Sequence, residues 1–191
     1  MLELNRAHDL QRLKEQPTIK KSKTVELVEQ RKRRPRMIMY DVSRNATKEN
    51  LQAALAQNEL EGEGEVQFLF QTGPREDTEK CHWVVEVTPR ARTRLLNTGR
   101  FFYEFTSHRV KDFVVATRCM KCMKYGHIAK VCQSGERCTK CGDNKHKTAD
   151  CKKDGCCPTC GPDQKCDGKR RSCPSYTAAI RRLIDSTDYG E

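Results

Sequence analysis

Eleven of the twelve cysteines of this 191-residue chain lie between positions 119 and 173. Cys119, Cys122, His127 and Cys132 are spaced C-x2-C-x4-H-x4-C, and Cys138, Cys141, His146 and Cys151 repeat that spacing unchanged. Two such matches in tandem set coincidence aside. A C-x2-C turn puts two sulfurs on one side of a tight loop. The chain then returns so that the histidine and the last cysteine complete a tetrahedron of N and S donors, the arrangement zinc takes with bonds of about 2.0–2.3 Å. All four positions are filled, so these sites read as structural: a hydrolytic zinc keeps one position open and needs an acid or base beside it. Segments this short cannot bury a core, so metal binding is expected to supply their folding energy. Gly126 and Gly142 ease the tight turns.

A third unit is less regular. Cys157-Pro158-Thr159-Cys160-Gly161 is a zinc-turn sequence, and Cys166 and Cys173 follow it, giving C-x2-C-x5-C-x6-C. This predicts a site of four cysteines, with Cys156 as a competing ligand. Cys81, outside the clusters, reads as a buried strand residue.

The residues between the ligands carry the second expectation. In the first unit Met120, Tyr125, Ile128 and Ala129 can line a small apolar cleft, ringed by Lys121, Lys124 and Lys130. An unstacked base fits such a cleft while lysines hold phosphate. The plainer alternative is that Met120 and Ile128 only pack the mini-fold. The second unit has Thr139 and Lys147 where the first has Met120 and Ile128. It is expected to contribute charge more than stacking, through Arg137, Lys140, Lys145 and Lys147.

Charge points the same way. The formal net charge is +11 and the sequence pI about 9.2. Two three-thiolate sites at −1 and one four-thiolate site at −2 take +11 to +7, so a metal-loaded chain still favours a polyanion. Hydrophobic residues make up 36% and charged residues 33%, too polar for one core across the whole chain; ordered islands with solvated links are expected. No apolar run approaches the roughly 20 residues that span a bilayer, and no signal peptide is evident at the N-terminus. An intracellular, cytoplasmic or nuclear protein with reduced cysteines follows, and neither a membrane nor a small-molecule substrate is expected.

The chain divides into a basic helical or disordered arm at 1–35, an α/β domain at 36–117, knuckles at 118–134 and 137–153, the third Cys-rich unit at 156–175 and a tail at 176–191. The arm ends in Arg31-Lys32-Arg33-Arg34, a nucleic-acid contact or import signal in its sharper reading. In the α/β domain Met37–Tyr40, Val66–Phe70 and Trp83–Val87 read as strands. Thr47 caps a helix carrying Leu51, Ala54, Leu55 and Leu60. Pro89 starts a second helix that Gly99 stops. Phe101–Phe105 and Val110–Val115 add strand material. The result is an α+β chain with a βαββαβ, ferredoxin-like or RRM-like domain. The aromatic strand signature of RNA-recognition motifs is missing from Cys81–Val87. Tyr40 or Phe68 could replace its stacking role, but a scaffold or self-association role is the stronger expectation.

Gly126-His127-Ile128-Ala129-Lys130 is similar to retroviral nucleocapsid knuckles. Pro35-Arg36 entering a first strand, Trp83-Val84-Val85-Glu86-Val87, and Arg118-Cys119 opening three Cys-rich units that end at Cys173-Pro174 resemble the Gag-like first-reading-frame proteins of arthropod non-LTR retrotransposons over about residues 35–175. The resemblance implies an RNA-binding coat protein that packages the element's transcript and acts as an annealing chaperone. Where the third unit of that family commonly has a histidine, this chain has Cys166. The expectation is therefore zinc-dependent binding of single-stranded RNA or DNA. A host CCHC protein of RNA metabolism and a protein-interaction zinc module are the alternatives. An enzyme is not expected: there is no Walker-type loop, no paired-carboxylate motif and no open metal site.

Overall fold

The computed structural model describes residues 32–60, 62, 64–73, 79–153, 156–161, 166, 169 and 172–190. The expected basic arm up to Arg31 lies outside the described residues. The elements run β1 (Arg36–Ser43), α1 (Lys48–Ala53), a 3₁₀ turn (Ala56–Asn58), β2 (Val66–Thr72), β3 (Lys80–Val87), α2 (Pro89–Thr98), β4 (Arg100–Tyr103), β5 (Thr106–Asp112) and, beyond the cysteine-rich segment, α3 (Pro174–Asp185). The strands form one antiparallel sheet in the order β2-β3-β1-β5-β4. No helix among the described residues is long and apolar enough to cross a membrane.

β1 is the central strand. Met37 pairs with Val85 on one side and Asp112 on the other. Its alternation puts Met37 and Met39 into the core, and a bulge then changes the parity so that Val42 also faces inward. Asp41 sits in that bulge at φ 59°, and its N–H donates to His82 Nδ1 at 3.1 Å. One extra residue in a strand moves every later side chain to the other face. β1 therefore runs past its expected end at Tyr40.

Local chemistry sets the helix ends. The Thr47 hydroxyl accepts from Asn50 N–H at 3.3 Å, and the Thr88 hydroxyl accepts from Ala91 N–H at 3.2 Å ahead of Pro89. Each satisfies a donor that the first turn leaves free. Gly99 closes α2 at φ 66°, with its N–H on Leu95 O at 2.8 Å. α1 is shorter than its apolar spacing suggested. Leu60 reaches the core only after Glu59 takes a left-handed turn at φ 56°. Asn58 then pins the sheet's outer edge: its carbonyl accepts from Phe102 N–H at 2.7 Å and its amide donates to Phe102 O at 2.8 Å.

Both helices cover one face of the sheet. Leu51, Leu60, Ala91 and Leu95 pack on Met37, Phe68, Trp83, Val85 and Phe101. Phe68 meets Trp83 edge-on, with ring centres 6.0 Å apart. Phe68 is thus a core residue and unavailable to a base, against one of the two stacking options. Tyr40 stays half-buried on the other face, with Arg109 over its ring at 4.6 Å. The strand expected at Phe101–Phe105 stops at Tyr103. Glu104, at φ 53°, and Phe105 form a two-residue turn between the paired Tyr103 and Thr106. The last strand accordingly begins at Thr106 and ends at Asp112 instead of spanning Val110–Val115. Cys81 is buried in β3, as expected, and burial pushes its thiol above the ordinary value.

The chain beyond the cysteines returns to this domain. α3 begins at Pro174, and the segment after it lies beside Arg33: Arg33 N–H donates to Ser186 O at 2.9 Å, and Asp188 N–H to Arg33 O at 2.8 Å. Arg92, held by both Asp112 carboxylate oxygens at 2.8 Å, lies over the Tyr189 ring at 4.5 Å. The only tryptophan, Trp83, is a core probe separate from the metal-binding segment. Urea unfolding followed by its fluorescence should show Leu51→Ala losing about 2–5 kcal/mol. Gly99→Ala, with open space around a new Cβ, should lose only about 1–2 kcal/mol of left-handed strain.

Candidate metal centres

The first C-x2-C turn is closed by backbone bonds. Cys119 N–H donates to Lys124 O at 2.8 Å, and Met123 N–H to Cys119 O at 2.9 Å. The second repeats both: Cys138 N–H to Asp143 O at 2.8 Å and Gly142 N–H to Cys138 O at 2.8 Å. The third repeats the second of these bonds, Gly161 N–H to Cys157 O at 2.9 Å. Cys119, Cys138 and Cys157 stand 19 residues apart. Each turn ends in a residue of positive φ: Met123 at 60°, Gly142 at 80° and Gly161 at 86°. Short 3₁₀ turns, Ala129–Val131 and Thr148–Asp150, then deliver Cys132 and Cys151.

Among the described residues, three groups of donors converge: Cys119, Cys122, His127, Cys132; Cys138, Cys141, His146, Cys151; and Cys157, Cys160, Cys166, Cys173. Within each, all ligand atoms lie within 4.8 Å of one another. Cys122 Sγ is 3.3 Å from His127 Nε2, and Cys141 Sγ is 3.4 Å from His146 Nε2. Cys173 Sγ lies 3.8 Å from Cys157 Sγ and 3.5 Å from Cys160 Sγ. A tetrahedron with bonds of about 2.0–2.3 Å has edges of about 3.3–3.8 Å, whereas a disulfide would draw two sulfurs to about 2.05 Å. All twelve cysteines are unbridged. The donor sets fit a tetrahedral ion and contain no carboxylate, a composition consistent with zinc. Cys157 is the third group's ligand, while Cys156 packs against the second group.

Electrostatics shows why such a group invites a cation. Burial raises the Cys138 thiol, but N–H groups of Cys141 and Lys140 and the neighbouring thiols outweigh it and hold it at about 6. Cys119 is lowered in the same way. Burial and neighbouring thiols push Cys122 and Cys151 up. In the third group burial takes Cys173 to about 12, while Cys160, raised by burial, is pulled down to about 7 chiefly by Ser175. One thiolate forms readily and its neighbours then hold their protons. A divalent ion removes that conflict.

The units pack together. Arg137 N–H donates to Lys121 O at 2.9 Å and the Thr159 hydroxyl to Met123 O at 2.7 Å, joining the second and third units to the first. Gly142 abuts Pro158 O so closely that a Cβ would collide with it. Met123 holds the equivalent backbone conformation with a side chain, so it is this contact, not φ, that demands glycine at 142. Tyr125 packs on the third group and meets Tyr176 at 5.2 Å between ring centres. It was expected in the apolar cleft of the first unit, but it serves the joint between units instead.

The other expected residues of the first unit stay open: Met120, Ile128, Ala129, Lys124 and Lys130 are exposed, and Lys121 is half-buried. Val131, which the motif reading omitted, joins them. Met120 is 61% exposed, Ile128 51% and Val131 64%. In the second unit Thr139 and Thr148, the 19-residue equivalents of Met120 and Ala129, are hydrogen-bonded to each other (Oγ1 to Oγ1, 3.2 Å). These positions adjoin, apolar in the first unit and hydroxylated in the second. Arg137, Lys140, Lys145 and Lys147 are exposed around the second, although Arg137 also donates to Gly142 O at 3.5 Å.

Together these features define an α+β protein with a five-stranded antiparallel sheet and three Cys/His groups that can each hold a metal ion. No family model, no curated protein and no solved structure matches the chain.

Native mass spectrometry should find three metal ions per chain. Cys157→Ser should reduce that to two and Cys156→Ser should leave three. Gly142→Ala should expose the third unit to proteases, whereas Gly161→Ala, with open space at its Cβ, should not.

Proposed function

We propose that the protein is a zinc-dependent single-stranded RNA-binding protein of the Gag-like class, packaging and annealing a retrotransposon transcript. The observation that carries this reading is the open apolar surface of Met120, Ile128, Ala129 and Val131 beside Lys121, Lys124 and Lys130, on a turn whose backbone is tied to metal ligands. A base unstacked from a single strand can lie on such a surface, where each Å² of apolar area it covers is worth about 25 cal/mol, and the flanking ammonium groups can reach its phosphates. The metal would supply rigidity and no chemistry: four filled positions leave no site for a reacting water.

The second unit fits a charged clamp, since its equivalent surface is a pair of bonded hydroxyls. The sheet order fits an RRM-like βαββαβ domain with β4 as an added hairpin strand. Phe68 and Trp83 are in its core and Tyr40 lies under Arg109, which favours a scaffold over a base-reading sheet. Self-association through that domain belongs to the same reading, because packaging a transcript takes many copies.

Fluorescence anisotropy with single-stranded RNA, with and without a zinc chelator, tests the proposal. Binding should be lost on chelation and restored by zinc; equal affinity in both states would sink it. Ile128→Ala should weaken binding by roughly 5–30-fold, the equivalent of about 1–2 kcal/mol of lost apolar contact, while the metal count stays at three.

A further inference from the structure

Beyond the metal units, a cleft of about 520 Å³ opens where the sheet domain, the first unit and α3 meet. Its size falls within the range of roughly 300–1,000 Å³ typical of ligand sites. Residues 113–117, Tyr125 and α3 form its apolar walls, with Phe113 and Val115 from the first and Leu183 from the last. Its charged lining is four arginines, Arg33, Arg34, Arg36 and Arg182, against one acid, Glu86.

Glu86 is already taken, by Arg36 Nε at 3.5 Å. Arg34 uses one donor on Gly64 O at 2.7 Å. Among the described residues no ion pair involves Arg33 or Arg182, and Arg182 makes only a bond from Nε to Ala178 O of its own helix, at 3.3 Å. Asp188 alongside accepts from Gly190 N–H at 3.1 Å. The lining is therefore a set of guanidinium forks with most of their donors unused, the geometry that suits phosphate oxygens. Tyr125 and Gly126 bring the first metal unit to the cleft's rim, two residues before the exposed Ile128.

We propose that this cleft is a second nucleic-acid site, which holds the phosphodiester backbone of the same strand whose base rests on Met120, Ile128 and Val131. The inference rests on the single-strand reading above and extends it. The apolar wall favours a single strand over a duplex, because only a single strand can turn unstacked bases or sugars toward Phe113 and Val115. The site is composite: the sheet domain supplies Arg36, the chain entering it Arg33 and Arg34, the first unit Tyr125, and α3 Arg182. None of these parts forms the cleft alone.

The test compares single-stranded RNAs of about 5 and about 14 nucleotides, within the usual range of single-strand site sizes, on the full metal-loaded chain. The variant Arg33→Gln/Arg182→Gln removes two charges from the cleft. Arg90→Gln/Arg181→Gln removes two exposed charges that do not line it. The wild type should bind the longer RNA at least about tenfold more tightly, with the second contact site as the source of the gain. The cleft variant should lose most of that gain, and its salt slope should fall by about 1.4, for two single-strand phosphate contacts at about 0.7 each. Its affinity for the short RNA and its metal count should be unchanged, and the control variant should behave as wild type. Equal loss in both variants would reduce the effect to net charge and overturn the proposal. Unchanged long-RNA binding by the cleft variant would overturn it while leaving the first-unit site standing. Failure of both RNAs to bind any of the proteins would instead remove the reading on which it rests. A polyglutamate peptide that displaces RNA from the wild type only at the cleft would reassign the site to an acidic protein segment.

Discussion

Four soft donors brought within 4.8 Å of one another, three times over, are the constraint on which the C-terminal half depends. Buried thiolates repel, and a segment as short as each Cys-rich unit has no apolar core to hold them in spite of that repulsion. Among its described residues the cysteine-rich segment carries two small clusters of ligands, with Cys156 packed against one and Tyr125 and Tyr176 against the other. An ion at each point would convert repulsion into a knot. From the knots follow the contacts between units: Thr159 on Met123, Pro158 on Gly142, Tyr125 on Tyr176. The third knot leads straight into α3, whose first residue follows the ligand Cys173. The sheet domain is organised by ordinary means, two helices on one face over a core of Met, Phe, Trp and Val.

Much of this was legible in the sequence, because the signals were local. Thr47, Pro89 and Gly99 act within one turn of their own position, and metal spacing is a property of short loops. The ligand sets and the choice of strands needed nothing distant. The misses share the opposite character. Asp41 enters a left-handed bulge because His82, far along the chain, accepts its N–H. Leu60 reaches the core after a turn at Glu59 and not along a helix. Tyr125 looks like a base-stacking residue within its own motif, and only the third unit reveals its partner. Val131 was passed over because it sits beside a ligand. The 19-residue period that aligns Met120 with Thr139 also aligns Met123 with Gly142, and only the fold shows that Pro158 sets that pair apart.

The same contrast separates the parts by where they place their apolar side chains. The sheet spends its aromatics on its core, and its open face presents Tyr40 under an arginine. The metal units bury Met123 and pack Tyr125 at their joint but leave Met120, Ile128 and Val131 outside. Under the proposed function that division suits a flexible polymer: one part would keep its shape without the polymer, and the other would offer surface to it.

The return of the chain after α3 has a mechanical meaning. The sheet domain and the metal units are joined once by the peptide chain through residues 113–117, and again where Ser186, Asp188 and Tyr189 rest on Arg33 and Arg92. Two attachments make a truss where one would make a hinge. A cut in the connector would leave both halves in a single particle, and opening the angle between them would first require the second attachment to let go.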